Sequence, residues 1–304
     1  MNKVYNTVWN ESTEMWVVTS ELTRKGGRRP RQIRRTALAG LIAGLLLPSA
    51  PALATDYKNQ TLESGGTSSS MSLSAGDTAT NTTINSGGFQ HVFSGGSATS
   101  TTINRGGLQY VYSGGSATST TINSGGFQNV FSGGSATSTT INSAGFQSVH
   151  SGGSATSTTI NSGGLQYVYS GGSATSTTIN SGGLQYVSSG GSATGTTINS
   201  GGQQTVSSGG SATSTTINSG GMLSVSSGGS AVDITQNSGG IIFADTSATL
   251  RGTNINGSFS IAGGSASNML LENGGYLSVL NGHQATSTTI NSGGQQRVFS
   301  GGSA

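Results

Sequence analysis

The chain has 304 residues with 52 Gly, no Cys, 7% charged and 31% hydrophobic residues, whereas globular domains are about one quarter charged. That mix argues against an ordinary compact enzyme, and without Cys neither disulfides nor thiolate metal sites stabilise the fold, which suits a chain exported unfolded. The net charge of +3 is the sum of +5 on the first 54 residues, which hold eight of the twelve Lys/Arg against three Asp/Glu, and −2 on residues 55–304, which carry four Lys/Arg against six Asp/Glu; Lys58, Arg105, Arg251 and Arg297 are too scattered to follow a phosphate backbone, which argues against nucleic-acid binding.

In chain order, Arg24, Lys25, Arg28, Arg29, Arg31, Arg34 and Arg35 precede the apolar run 36–47 (TALAGLIAGLLL), and Ala52-Leu53-Ala54 supplies small residues. This pattern predicts a secretory signal cleaved between Ala54 and Thr55. The apolar run falls short of the roughly 20 residues that span a bilayer, which disfavours a permanent anchor. Further upstream, Asn2-Lys3, Tyr5, Trp9, Trp16-Val17-Val18 and Ser20-Glu21-Leu22 resemble the extended signal peptide region of type V secreted proteins of Gram-negative bacteria. The competing reading is a short N-terminal helix of the mature fold.

Residues 55–80 are irregular and read as the entry to a repetitive body. From Asn81 a 19-residue unit recurs: Ile stands at 84, 103, 122, 141, 160, 179, 198 and 217, and Val at 92, 111, 130, 149, 168, 187, 206 and 225. A period near 20 marks a solenoid whose units bury their apolar faces only against neighbours. Segments rich in Thr, Val, Ile and aromatics alternate with Gly-Gly turns, and no 3.6-residue pattern appears. The predicted fold is therefore all-β, a parallel right-handed β-helix with rungs about 4.8 Å apart. Identical residues then form ladders, notably Asn at 85, 104, 123, 142, 161, 180, 199 and 218 and Gln at 90, 109, 128, 147, 166, 185 and 204. Composition alone would equally suit a disordered linker, but a linker has no reason to hold Ile and Val in register over eight copies.

Residues 81–231 carry the regular units and 232–304 degenerate ones. There Ala244 follows Val225 by 19, while only 16 residues separate Ala244 from Ser260, 19 before Val279. This reads as a rung three residues short, a local bend or a loop deletion.

Comparison of the copies sorts the segment after each Gly-Gly into constant Gln and Val slots that alternate with variable ones, hence opposite faces of a strand. With Val inward, the outward slots carry Phe89, His91, Phe93, Leu108, Tyr110, Tyr112, Phe127, Phe131, Phe146, Leu165, Tyr167, Tyr169 and Tyr186, an apolar stripe that ends midway along the repeats. Such a strip marks a contact surface for a receptor, a glycan or a second copy; alternatively the rings simply cover their own sheet. A second array, Ser100, Ser119, Ser138, Ser157, Ser176 and Ser214, offers hydroxyls for sugar attachment or for turn hydrogen bonds alone. The acids and His91, His150 and His283 are dispersed, so no catalytic residue, metal ligand or cofactor is assigned.

The leader together with SGG-x-A-x-x-TT-IN-SGG-x-Q-x-V units resembles the autotransporter family of the adhesin involved in diffuse adherence, most closely its glycosylated members. The resemblance implies a surface-exposed β-helical passenger acting in attachment, autoaggregation and biofilm formation, with host receptors or glycans and other passengers as partners. It also implies a cytoplasmic heptosyltransferase that modifies repeat hydroxyls. Family members end in a membrane-embedded barrel, whereas this chain ends mid-unit at Ser300-Gly301-Gly302-Ser303-Ala304. The expectation is display at the cell surface or outer membrane for a full-length member, with the periplasm as the alternative for a chain without a barrel. A passive stalk presenting another domain is the runner-up function, and a polysaccharide-active enzyme the weakest.

Overall fold

The computed structural model describes residues 6–10, 15–19 and 53–304, and the chain divides into two units, Met1–Ala52 and Leu53–Ala304. In the first unit Asn6–Asn10 and Met15–Thr19 pair antiparallel with Trp9 opposite Trp16. These two segments, rich in Thr, Val and Trp, are thus strands and not part of a helix. The basic run and the apolar run of the signal lie outside the described residues.

In the second unit every named element is a strand. One copy contributes three: Ser116–Thr118, Thr121–Ile122 and Phe127–Val130. Each pairs parallel with its equivalents one copy before and after, so that Ala117 lies between Ala98 and Ala136, Ile122 between Ile103 and Ile141, and Gln128 between Gln109 and Gln147. The four-residue strands form one 12-stranded sheet, and most of the shorter strands lie in a 23-stranded sheet. The structure is the parallel solenoid that the 19-residue period predicts.

The interior of each regular rung between Ala79 and Val206 is filled by one Ala, one Thr, one Ile, one Gln and one Val, as in Ala117, Thr120, Ile122, Gln128 and Val130, all at most 1% exposed. Burying a Val or Ile side chain contributes roughly 1.5–3 kcal/mol, and here the burying atoms come largely from adjacent rungs. The corners require glycine. The first of each pair has positive φ, 70° at Gly133, and a Cβ on the second, Gly134, would lie 2.5 Å from the Val111 carbonyl oxygen of the rung before.

The constant amides form the expected ladders. Gln109 Nε2 donates to Gln90 Oε1 at 2.7 Å, and the pattern repeats to Gln204; Asn104 Nδ2 donates to Asn85 Oδ1 at 2.9 Å, repeating to Asn237. Every Asn of the row donates toward the N-terminal end, where Asn85 Nδ2 meets Glu63 Oε2 at 2.9 Å. The carboxylate thus faces the positive end of an aligned row of amides.

Residues 55–73 make a rung of their own: Asp56–Lys58, Thr61–Leu62 and Ser70–Leu73 pair with the strands of the next copy, which begins with Thr78–Thr80. Of the six acids of residues 55–304, Asp56 and Glu63 lie in this rung and Asp77 in the turn that follows it, and Asp56 pairs with Lys58 at 2.8 Å. Charge on an edge strand discourages further strands from adding to it.

The irregular region departs from the expected shortened rung. Thr249–Asn254 pairs with Ser230–Gln236, then doubles back as the antiparallel strand Gly257–Ala262, which doubles back again into Ser265–Ser267. On the other sheet Ala244 pairs directly with Leu277. Ser260 therefore lies not in the Val frame but in the extra strand, opposite Arg251. The region is an insertion, held because Leu250, Phe259 and Ile261 bury their side chains and because Gly263-Gly264, with φ 54° and 80°, forms a tight two-residue turn.

Candidate functional site: an aromatic face and a serine column

The regular four-residue strands alternate outward and inward, as in Leu108–Val111, with Gln and Val buried and the variable slots at the surface. Parallel register places those slots in three columns. The third is a continuous ring stack, Phe93–Tyr112–Phe131–His150–Tyr169, with centroids 4.9, 5.2, 4.7 and 5.2 Å apart and planes within 12° of parallel. The second has the pairs His91–Tyr110 at 5.1 Å and Tyr167–Tyr186 at 5.2 Å, separated by Asn129 and Ser148. The first holds Phe89, Leu108, Phe127, Phe146 and Leu165, with Phe127 and Phe146 at 5.1 Å. Tyr110–Phe131 at 6.2 Å and Tyr167–Tyr169 at 5.9 Å tie columns two and three together.

The rung spacing dictates this geometry, because strands about 4.8 Å apart bring equivalent rings to stacking distance. The two readings of the stripe are therefore not exclusive. Ring faces are turned to one another along the stack, which leaves the edges as the accessible part, and the Tyr112 hydroxyl lies 3.5 Å from His91 Nδ1; Phe93 and Tyr169 are the most exposed of the set, at 40%. None of the stripe positions is Lys, Arg, Asp or Glu. His91 is enclosed by Phe93, Tyr110 and Tyr112, and His150 by Phe131 and Tyr169. Burial holds both imidazoles below their ordinary pKa. Burial, followed by the neighbouring Tyr110, raises that of Tyr112.

Ser100, Ser119, Ser138, Ser157, Ser176 and Ser214 each bridge the three-residue and two-residue strands of a rung. All six are exposed and have φ of 55–56°. That conformation favours Gly, Asn and Asp, and the same slot does hold Asn81, Gly195, Asp233 and Asn268. Among the described residues the six hydroxyls have no hydrogen-bond partner. Turn hydrogen bonding thus does not account for Ser at these sites.

Ala54 and Thr55 are exposed immediately before the first strand. Thr55 N donates to Asp77 Oδ1 at 2.8 Å, and the backbone N–H groups of Ser74 and then Thr55 hold Asp77 below the usual carboxylate range. Among the described residues no three His, Cys, Asp or Glu side chains come together as a metal site. Sequence reasoning missed a hollow beside the inserted hairpin, whose lining includes Asp233 and Arg251. The available signal was the return of charge: residues 81–231 carry Arg105 alone, whereas Asp233, Asp245, Arg251, Glu272 and Arg297 follow within 232–304.

Residues 57–240, in six overlapping segments, and 251–304 match the family described as "Adhesin of bacterial autotransporter system, probable stalk", and residues 1–50 match the "Extended Signal Peptide of Type V secretion system". The chain belongs to this family of autotransporter adhesins. Over 92 residues, 30% of the chain, it is 89% identical to Autotransporter CRAC of Citrobacter rodentium and 79% identical to the Autotransporter adhesin/invasin TibA of Escherichia coli O78:H11. The matches span 6% and 9% of the length of those relatives. The solenoid also matches a crystal structure of a TibC-catalysed, hyper-glycosylated TibA fragment with TM-score 0.66 and 48% identity, covering 82% of this chain and 100% of the fragment.

Proposed function

We propose that, after cleavage between Ala54 and Thr55, the chain is a non-catalytic adhesive passenger of the cell surface or outer membrane, and that the aromatic stripe is its contact face. The observation that carries this reading is a run of ring edges, continuous over five rungs in one column and free of fixed charge, on one side of an otherwise Ser/Thr-covered rod. Surfaces of that kind are contact sites. A host receptor or glycan, or the stripe of another passenger, is the partner. Because neighbouring rungs cover the ring faces, contact is made through edges and the hydroxyls of Tyr110, Tyr112, Tyr167, Tyr169 and Tyr186. Replacing Tyr110, Tyr112, Tyr167 and Tyr169 by Ser abolishes attachment and clumping of expressing cells while leaving the β-sheet circular dichroism intact. Unchanged attachment removes the stripe from the account.

The serine column is proposed as the acceptor for sugars added by a heptosyltransferase. Ser in a left-handed turn strains the backbone and offers an unbonded hydroxyl, so the fold has no use for it there. The glycosylated relative supports the same assignment. Mass spectrometry of protein co-expressed with such an enzyme tests it: sugars on this column, and none at Gly195, are expected.

A spacer role is the second reading, favoured by the stacked ring faces and by the stalk description of the family. A spacer keeps its function when the tyrosines change and loses it when copies are removed.

A further inference from the structure

The regular solenoid presents repeating columns of side chains, and the inserted hairpin interrupts them. The strands Thr249–Asn254 and Gly257–Ala262 pair side by side with Ser230–Gln236, whose register shifts between Ala231 and Ile234, and over the three lies a hollow of about 490 Å³. A second hollow of about 180 Å³, which shares Thr235 and Thr253 with the first, extends it toward Asn237 and Asn254.

The first hollow is lined by two rows of outward side chains. Register sets Thr235 opposite Thr253 and Thr253 opposite Ser258, giving three hydroxyls across three strands. In the other row Arg251 lies opposite Ser260, with Asp233 at the bulge below it. Asp233, Arg251, Thr235, Thr253 and Ser258 are all exposed. No ion pair joins Asp233 to Arg251, and the ion pair found among the described residues is Lys58–Asp56. In a body with four basic and six acidic side chains, one of each sign lines this hollow without a partner of opposite charge.

We propose that this hollow binds a saccharide. A carboxylate that accepts, a guanidinium that donates through a fork, and a row of hydroxyls that do both make a set suited to adjacent sugar hydroxyls. Phe259 is buried at 3% exposure and offers no ring for stacking, so recognition is polar and affinity is weak, in the millimolar range. The site lies outside the aromatic stripe, so its test stands apart from that of the contact face.

Saturation-transfer NMR on the unglycosylated exported protein, with methyl glycosides of mannose, galactose, glucose and glucuronic acid as probes, decides the matter. Transfer to at least one glycoside is expected, with affinity lowered about tenfold or more in Arg251→Gln and in Asp233→Asn, the loss of a charge-assisted hydrogen bond. Asn suits the left-handed turn at 233, where φ is 55°, so that variant keeps the fold. Thr253→Val also weakens binding, whereas Arg105→Gln and the four-tyrosine variant do not. Absence of transfer from all four glycosides overturns the proposal, as does transfer that survives both charge variants.

Discussion

Replacing Gln147 by Leu tests whether the buried amide ladder stabilises the stack as a connected row. Leu fits the slot, since Leu223 occupies it fully buried in a later rung, directly paired with Gln204. The change removes the bond from Gln147 Nε2 to Gln128 Oε1 at 2.7 Å, that from Gln166 Nε2 to Gln147 Oε1 at 2.6 Å, and that from Thr158 Oγ1 to Gln147 Oε1 at 3.2 Å. Gln128 Oε1 keeps Thr139 Oγ1 and Gln166 Nε2 keeps Thr158 Oγ1, each at 3.2 Å, so neither is wholly orphaned. At about 1 kcal/mol per bond, the expected cost is about 3 kcal/mol. Gln204→Leu at the end of the row loses one ladder bond, to Gln185 Oε1 at 2.8 Å, together with its Thr contacts. Because Leu223 lies above it, no further amide loses an acceptor; three bonds are again lost, about 3 kcal/mol by count, so only the connectivity of the row makes Gln147→Leu the costlier change. Urea unfolding at constant m-value reads both. A Gln147→Leu cost equal to or below that of Gln204→Leu refutes the connected-row reasoning.

The same geometry sets three other outcomes. Ala144 holds φ 53° in a column otherwise occupied by Gly125 and Gly163, so Ala144→Gly stabilises the fold by about 1 kcal/mol in denaturant titration; a destabilised variant contradicts the strain. Ser138→Gly likewise raises the melting temperature of unglycosylated protein and removes one sugar from glycosylated protein. His91 and His150 have folded pKa values below 6.5, so the unfolded chain binds their protons first and stability falls as pH drops below about 6.5. Asp56 and Asp77, also depressed, contribute above about 3.8 and are lost only at lower pH. The double substitution of both His by Phe therefore flattens the melting temperature between pH 7 and 5, and a persistent slope there rules out the histidines as its source.

The fold was legible because solenoid stability imposes the same residue on equivalent sites. Ile103, Gln109 and Val111 each touch their own kind above and below, so copies could be compared with one another to sort inward from outward positions. Stacking of the rings within the stripe is implied by the rung spacing but needed coordinates to show how much edge remained. The inserted hairpin was hidden because its Gly263-Gly264 turn is written like the ordinary corners, so a frame counted in nineteens ran through it and placed Ser260 on the wrong strand. The Asn256-Gly257 pair was a hairpin signal in its own right. The strain at Ser100 and its equivalents was only indirectly readable, through the Asn81, Gly195, Asp233 and Asn268 that take the same slot in other copies, because a backbone angle is a property of the turn and not of Ser itself.

The most direct test of the stack is the melting temperature, monitored by circular dichroism, of chains from which one, two or three internal 19-residue copies, starting with residues 132–150, have been removed in register. The account predicts β-sheet spectra throughout and a stepwise fall in melting temperature with each copy lost. A melting temperature indifferent to copy number, or a random-coil spectrum for the intact chain, contradicts it.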